Sequence, residues 1–146
     1  MSFNRPLLLL VAILATTAPL TWSPPVARGM VVQYKAYVQR QQDLIALAGI
    51  FGQLHHLRRT CNPKREANIW RERMQTLIEL EQPDRDTHFQ MVTRFNEGFD
   101  AMGQEFPTCT REAQRRSKDL AFEGNAIVQR LTDGIQPGAD TNRTRR

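Results

Sequence analysis

The sequence predicts an all-α fold: a small up-down bundle of about four helices, closed by one disulfide and preceded by a signal peptide or signal anchor. Three observations predict it. Between residues 29 and 133 apolar side chains recur at spacings of three and four, and no stretch sustains the alternation of a strand. Proline-containing breaks at Asn62-Pro63, Gln82-Pro83-Asp84 and Pro107 divide that span. The chain holds two cysteines, Cys61 and Cys109, which are expected to pair if the chain is exported.

Export is read from the N-terminus. Residues 1–6 carry one charge, Arg5, and Leu7 to Leu20 is apolar apart from Thr16 and Thr17. That run is short of the roughly 20 residues that span a bilayer and suits the apolar core of a secretory leader. Residues 1–23 are therefore expected to be a leader, either cleaved or kept as an anchor; a buried N-terminal helix is the other account. Thr16-Thr17-Ala18 offers small residues for cleavage, but Pro19 would follow the cut, and Ser23 meets Pro24 in the same way. No cysteine lies at the end of the apolar run, which excludes lipid modification there. The expected location is the periplasm or beyond, with an inner-membrane anchor if the leader is uncleaved. Residues 24–39 read as a linker or helix extension, and residues 40–133 as the helical domain.

The first helix is expected from about residue 40 to Thr60, with an extension back to Val31 compatible with the pattern. Its stripe is Leu44, Leu47, Ala48, Phe51 and Leu54, widened by Ile50 and Leu57. A second helix carries Ala67, Trp70, Met74 and Leu77 on one face and closes at Gln82-Pro83-Asp84. Asp84 or Asp86 can cap the third, whose stripe is Val92, Phe95, Phe99, Met102 and Phe106. Thr108 or Thr110 can cap the fourth, with Ala113, Leu120, Gly124, Ile127 and Leu131 facing inward. Residues 134–146 contain Gly, Pro and Arg without periodicity and read as a flexible tail. Gly49, Gly52, Gly98 and Gly103 indicate close internal packing or the approach of another chain.

Short connections favour antiparallel neighbours, and two hairpins return the chain to the end where it started. The disulfide then joins the end of the first helix to the start of the fourth. Its loop spans 48 positions, for which the chain-entropy argument gives a stabilisation of about 4 kcal/mol.

The formal charge is +5, carried mostly by arginine, since Lys occurs only at 35, 64 and 118. Nucleic acid is not expected as a partner: no zinc-binding spacing, RNA-binding aromatic motif or helix-turn-helix is present. Basic residues concentrate from Arg58 to Arg73 and from Arg111 to Lys118, two segments that the disulfide would join. Arg59, Arg65, Arg111 and Arg115 are thus expected to form one basic patch suited to an envelope protein or an anionic envelope polymer. The membrane is expected to be reached only through the leader.

His55, Arg58, Glu81, Asn96 and Glu123 fall on or beside the apolar stripes and form a candidate buried polar network, since a buried charge needs a partner. Structural ion pairs and boundary hydrogen bonds are the plainer account; a Glu81–Glu123 carboxylate pair acting on a sugar polymer is the sharper one. His55, His56 and His88 lack the i, i+4 spacing that builds a metal site. No catalytic residue, metal or cofactor is assigned.

Leu54-His55-His56-Leu57-Arg58 ending at Cys61, Trp70-Arg71 with Met74, Phe95-Asn96-Glu97-Gly98-Phe99, and Cys109-Thr110 with Ala113 together resemble a family of small exported Gram-negative bacterial proteins of unknown function. The resemblance covers residues 44–131. It implies export and paired cysteines and assigns no reaction. A looser similarity, of architecture alone, is to acid-activated periplasmic chaperones closed by one long-span disulfide. The expected role is a noncatalytic interaction or envelope-maintenance factor. A disulfide-stapled periplasmic chaperone and a cell-wall polymer enzyme using core carboxylates are the alternatives.

Overall fold

A computed structural model describes residues 25–133, so the leader and the tail lie outside the described residues. Five helices follow in order: α1 (Pro25–Cys61), a single turn α2 (Pro63–Glu66), α3 (Ile69–Glu81), α4 (Arg85–Glu105) and α5 (Arg111–Asp133). The four long ones form the bundle.

Chain direction follows from which residues meet. Arg40 of α1 bonds Glu81 at the end of α3, while Phe51 packs on Trp70 near its start, so α3 runs antiparallel to α1. Tyr37 meets Asp84 and His56 meets Phe106, so α4 runs parallel to α1. Arg130 returns to Asp43 and Cys109 to Cys61, so α5 runs antiparallel again. The up-down order is as expected. The centre is less even: α3, α4 and α5 each approach α1 closely, whereas their backbones hardly approach one another. This makes α1 a central post, which explains why its buried residues are spread around the helix rather than confined to one stripe. Leu44, Leu47, Ala48, Ile50, Leu54, His55 and Leu57 are all buried.

The helix boundaries have local causes. Asp84 caps α4, accepting from the backbone N–H of Asp86 and Thr87 at 3.0 Å each and from the Thr87 hydroxyl at 2.7 Å. The backbone and side-chain bonds from Thr87 are the largest causes holding its carboxyl down to about 2, with Tyr37 and Asp86 adding to them. Thr110 receives the Ala113 N–H at 3.1 Å and caps α5 in the same manner. At the end of α3 Gln82 takes a left-handed conformation (φ 43°), returning its N–H to the Ile78 carbonyl, and Pro83 prevents continuation.

The first helix begins at Pro25, in the segment that the sequence leaves as linker or helix extension. Apolar periodicity is weak there because Met30, Val31, Val32, Tyr34 and Tyr37 are all exposed among the described residues. Two expectations are corrected. The second helix divides into α2 and α3, with Ala67 in the break. On α4 the residue facing the core is Met91, fully buried, while Val92 is exposed. Met91 lies four residues before Phe95, one helical turn away, and Val92 is rotated off that line.

The glycines serve internal packing. A Cβ on Gly52 would collide with the Phe95 carbonyl, and one on Gly98 with the Gly49 carbonyl. The backbones of α1 and α4 therefore cross in direct contact. At Gly124 the contact is with side chains instead: a Cβ there would stand 3.3 Å from an Ile50 methyl and 3.8 Å from one of Leu47.

Candidate functional site: a basic surface at the disulfide end

Cys61 closes α1, and Cys109 stands just before α5; their Cα atoms are 4.9 Å apart and their sulfurs are bonded. This covalent link brings α2 and the start of α5 to one end of the bundle. Arg59, Arg65, Arg111 and Arg115 are exposed there, and none makes an ion pair among the described residues. The neighbouring Arg58 is engaged instead. Its Nε donates to Glu66 at 2.7 Å, and Asn62 donates to the other oxygen at 3.1 Å. Burial would raise the Glu66 carboxyl, but these two bonds and the Arg58 charge outweigh it and hold the group below its usual range. Arg58 and Glu66 thus pin α2 against α1, and the arginines around them are left to solvent.

A groove of about 540 Å³ runs beside this end, between α1 and α4. Arg59 and Asp100 lie on its rim, and Gly103 leaves room over the His56 ring. His56 is anchored, with Nε2 2.9 Å from the Phe106 carbonyl and its ring edge-on to Phe99.

The five polar positions on or beside the apolar stripes do not form one network. His55 alone is fully enclosed, 2% exposed, with its ring 5.7 Å from Phe95 and 5.2 Å from Phe99. Its Nδ1 has no hydrogen-bond partner. Burial, reinforced by the charges of Arg71, Arg59 and His56, lowers its pKa and keeps the ring neutral. Glu81 is half-buried at the opposite end, held by Arg40 through bonds of 2.7 and 2.8 Å. Arg40 also donates to the Leu131 carbonyl at 2.9 Å, tying α1, α3 and α5 together. Asn96 and Glu123 are exposed, which corrects the expectation that they are buried. Glu123 pairs with Arg116 at 3.1 Å, and Arg116 also reaches Gln53.

Nor do Glu81 and Glu123 make a catalytic pair. Glu81 sits at the level of Leu131, eight residues further along α5 than Glu123, or about 12 Å of helix rise. Arg40 already neutralises Glu81. The histidines are separated too: His88 opens α4 near the Asp84 cap, at the end away from His55 and His56.

The ion pair of Asp43, the most deeply buried of the charged groups among the described residues, was not expected from the sequence. Asp43 is 5% exposed and receives Arg130 at 2.6 Å. That bond, with the Asp43 charge, raises the guanidinium pKa against the opposing effect of burial. The signal was present, since Asp43 falls on the Leu47–Ile50–Leu54 face, one turn before Leu47.

Fold and surface together define a small helical bundle closed by a disulfide, with exposed arginines at the disulfide end. The chain belongs to a family of proteins of unknown function, DUF2385, whose match covers residues 40–134. No curated protein and no solved structure matches the chain. Among the described residues no helix is long and apolar enough to cross a membrane.

Proposed function

We propose that the protein is an exported, noncatalytic interaction factor of the cell envelope that binds an acidic partner through its disulfide end. One observation carries this reading: Arg59, Arg65, Arg111 and Arg115 are exposed, without an ion-pair partner among the described residues, on segments that the Cys61–Cys109 bond holds together. Unpaired guanidinium groups on a rigid support match carboxylate or phosphate oxygens with little reorganisation. Export is supported by the leader pattern in residues 1–23 and by a disulfide, which persists in an oxidising compartment. Cross-linking in intact cells tests the reading. The wild type is expected to capture a distinct acidic partner that a variant with all four arginines changed to Glu does not capture. Equal capture by both chains, with equal thermal stability, removes the patch from the function.

A second reading, a client-binding chaperone loosened by acid, is favoured by His55. The ring is neutral in the fold, and its pKa lies below 6.5, the usual value it regains on unfolding. The unfolded chain therefore binds the extra proton first, so stability present above about pH 6.5 declines as pH falls below it. The urea midpoint of the wild type is expected to drop between pH 7.5 and 5.5, and that of His55→Gln to change much less. Client binding that rises over the same interval in the wild type alone supports the chaperone. Identical pH profiles of stability for the two proteins remove His55 as the trigger.

A further inference from the structure

The outward face of α5 carries a pattern that the four-arginine patch does not account for. Ala113, Leu120, Ile127 and Leu131 face α1. At 100° per residue, Arg111, Arg115, Lys118 and Phe122 fall on the opposite side within an arc of about 60°. The three cations and the aromatic ring form one line about 16 Å long. Between Arg111 and Glu123 the acids lie to one side of it, while Asp133, eleven residues past Phe122, falls on the same arc beyond its end. Glu112, Asp119 and Glu123 lie together on one flank, and Glu123 is already paired with Arg116. The other flank is neutral, with Gln114, Ala121 and Asn125. Neither Lys118 nor Arg111 nor Arg115 has an ion-pair partner among the described residues. Phe122 is 78% exposed.

We propose that this face of α5 docks on the surface of an anionic lipid bilayer, with Arg111, Arg115 and Lys118 at the headgroup phosphates and Phe122 inserted beneath them. Charge complementarity selects an anionic partner: the line of cations holds no acid along its length. Phe122 selects lipid over a soluble polyanion. An apolar ring gains from leaving water at the acyl boundary, on the same line where long basic side chains keep their charges at headgroup level. A line along one helix face can meet a flat surface without any change in fold. The contact is separate from any anchoring by the leader, and it rests on the reading that the basic end faces envelope anions.

The test uses the full chain carrying Phe122→Trp, with the parent chain as the spectral reference. On vesicles of phosphatidylcholine mixed with phosphatidylglycerol, the emission of the new tryptophan is expected to shift to the blue and to be quenched by brominated acyl chains. On pure phosphatidylcholine it is expected to stay as in water. Adding Arg111→Glu, Arg115→Glu and Lys118→Glu is expected to abolish the shift, consistent with about a hundredfold weaker attraction for three lost basic contacts. A water-like spectrum on anionic vesicles overturns the proposal, even if the chain binds them through another segment. A response to soluble polyphosphate without one to vesicles overturns it in favour of an anionic polymer. If position 122 is silent while arginine-dependent partner capture persists, the lipid inference alone fails. If it responds while capture is independent of the arginines, the acidic-partner reading alone fails.

Discussion

Gly52→Ala is expected to lower the stability of the bundle by at least about 2 kcal/mol, although alanine is the better helix former. The added methyl would meet the Phe95 carbonyl and its neighbouring backbone atoms. A backbone cannot yield by changing rotamer, so α1 and α4 must separate. Separation loosens the packing of Met91, Phe95 and Met102 on α1, where most of the core lies. The intrinsic helix gain of about 1 kcal/mol offsets only part of this cost. Gly103→Ala is the internal control. Its methyl would stand 3.5 Å from the His56 ring, an ordinary contact, so it is expected to be neutral or to stabilise by up to about 1 kcal/mol. Urea unfolding of the two variants decides the matter. If both shift the midpoint in the same direction, the direct backbone crossing of α1 and α4 does not govern stability.

Replacing both cysteines by serine is expected to cost about 4 kcal/mol and to lower the melting temperature by on the order of 20 °C. The bond closes a loop of 48 positions that contains α2, α3 and α4. Most of its effect is on the unfolded chain, which loses conformations when the loop is closed. The native contacts near it, Arg58 with Glu66 and Asn62 with Glu66, survive the substitution. Reductant should therefore destabilise the wild type to the level of the double variant and leave the double variant unchanged. A loss below about 1 kcal/mol would mean that the chain is already constrained at this end before it folds.

The residues that announced the fold were those with one physical role. Leu44, Leu47, Leu54, Leu120 and Ile127 are buried because apolar spacing on a helix leaves them no other face. Asp84 and Thr110 could be named as candidate caps because a short polar side chain before an apolar run has few other uses. The joining of the segments after Cys61 and after Cys109 was legible because a covalent bond places them together whatever the packing.

Other features depended on neighbours. Val92 and Met91 are both apolar and adjacent, so periodicity alone could not decide which meets α1; the crossing at Gly52 and Gly98 decides it. The extension from Pro25 to Gln39 is helical with Met30, Val31, Val32, Tyr34 and Tyr37 exposed among the described residues, so it lacks the one-sided stripe that announces helices elsewhere. Asn96 and Glu123 border their stripes closely enough to suggest burial, but the backbones of α4 and α5 do not approach each other closely, and both residues are exposed. Arg40, Glu81, Asp43 and Arg130 come from three helices and meet only because α3 and α5 end beside the same stretch of α1.

The sequence by itself determined the helical class, the proline-marked breaks, the caps available to the chain and the joining of two arginine-bearing segments, since each follows from local chemistry or from a covalent link. Tertiary structure decided which polar groups are enclosed, which ions pair and which face of α5 stays free. Those outcomes depend on three helices being arranged around α1, and the distances between helices are not set by any residue spacing along the chain.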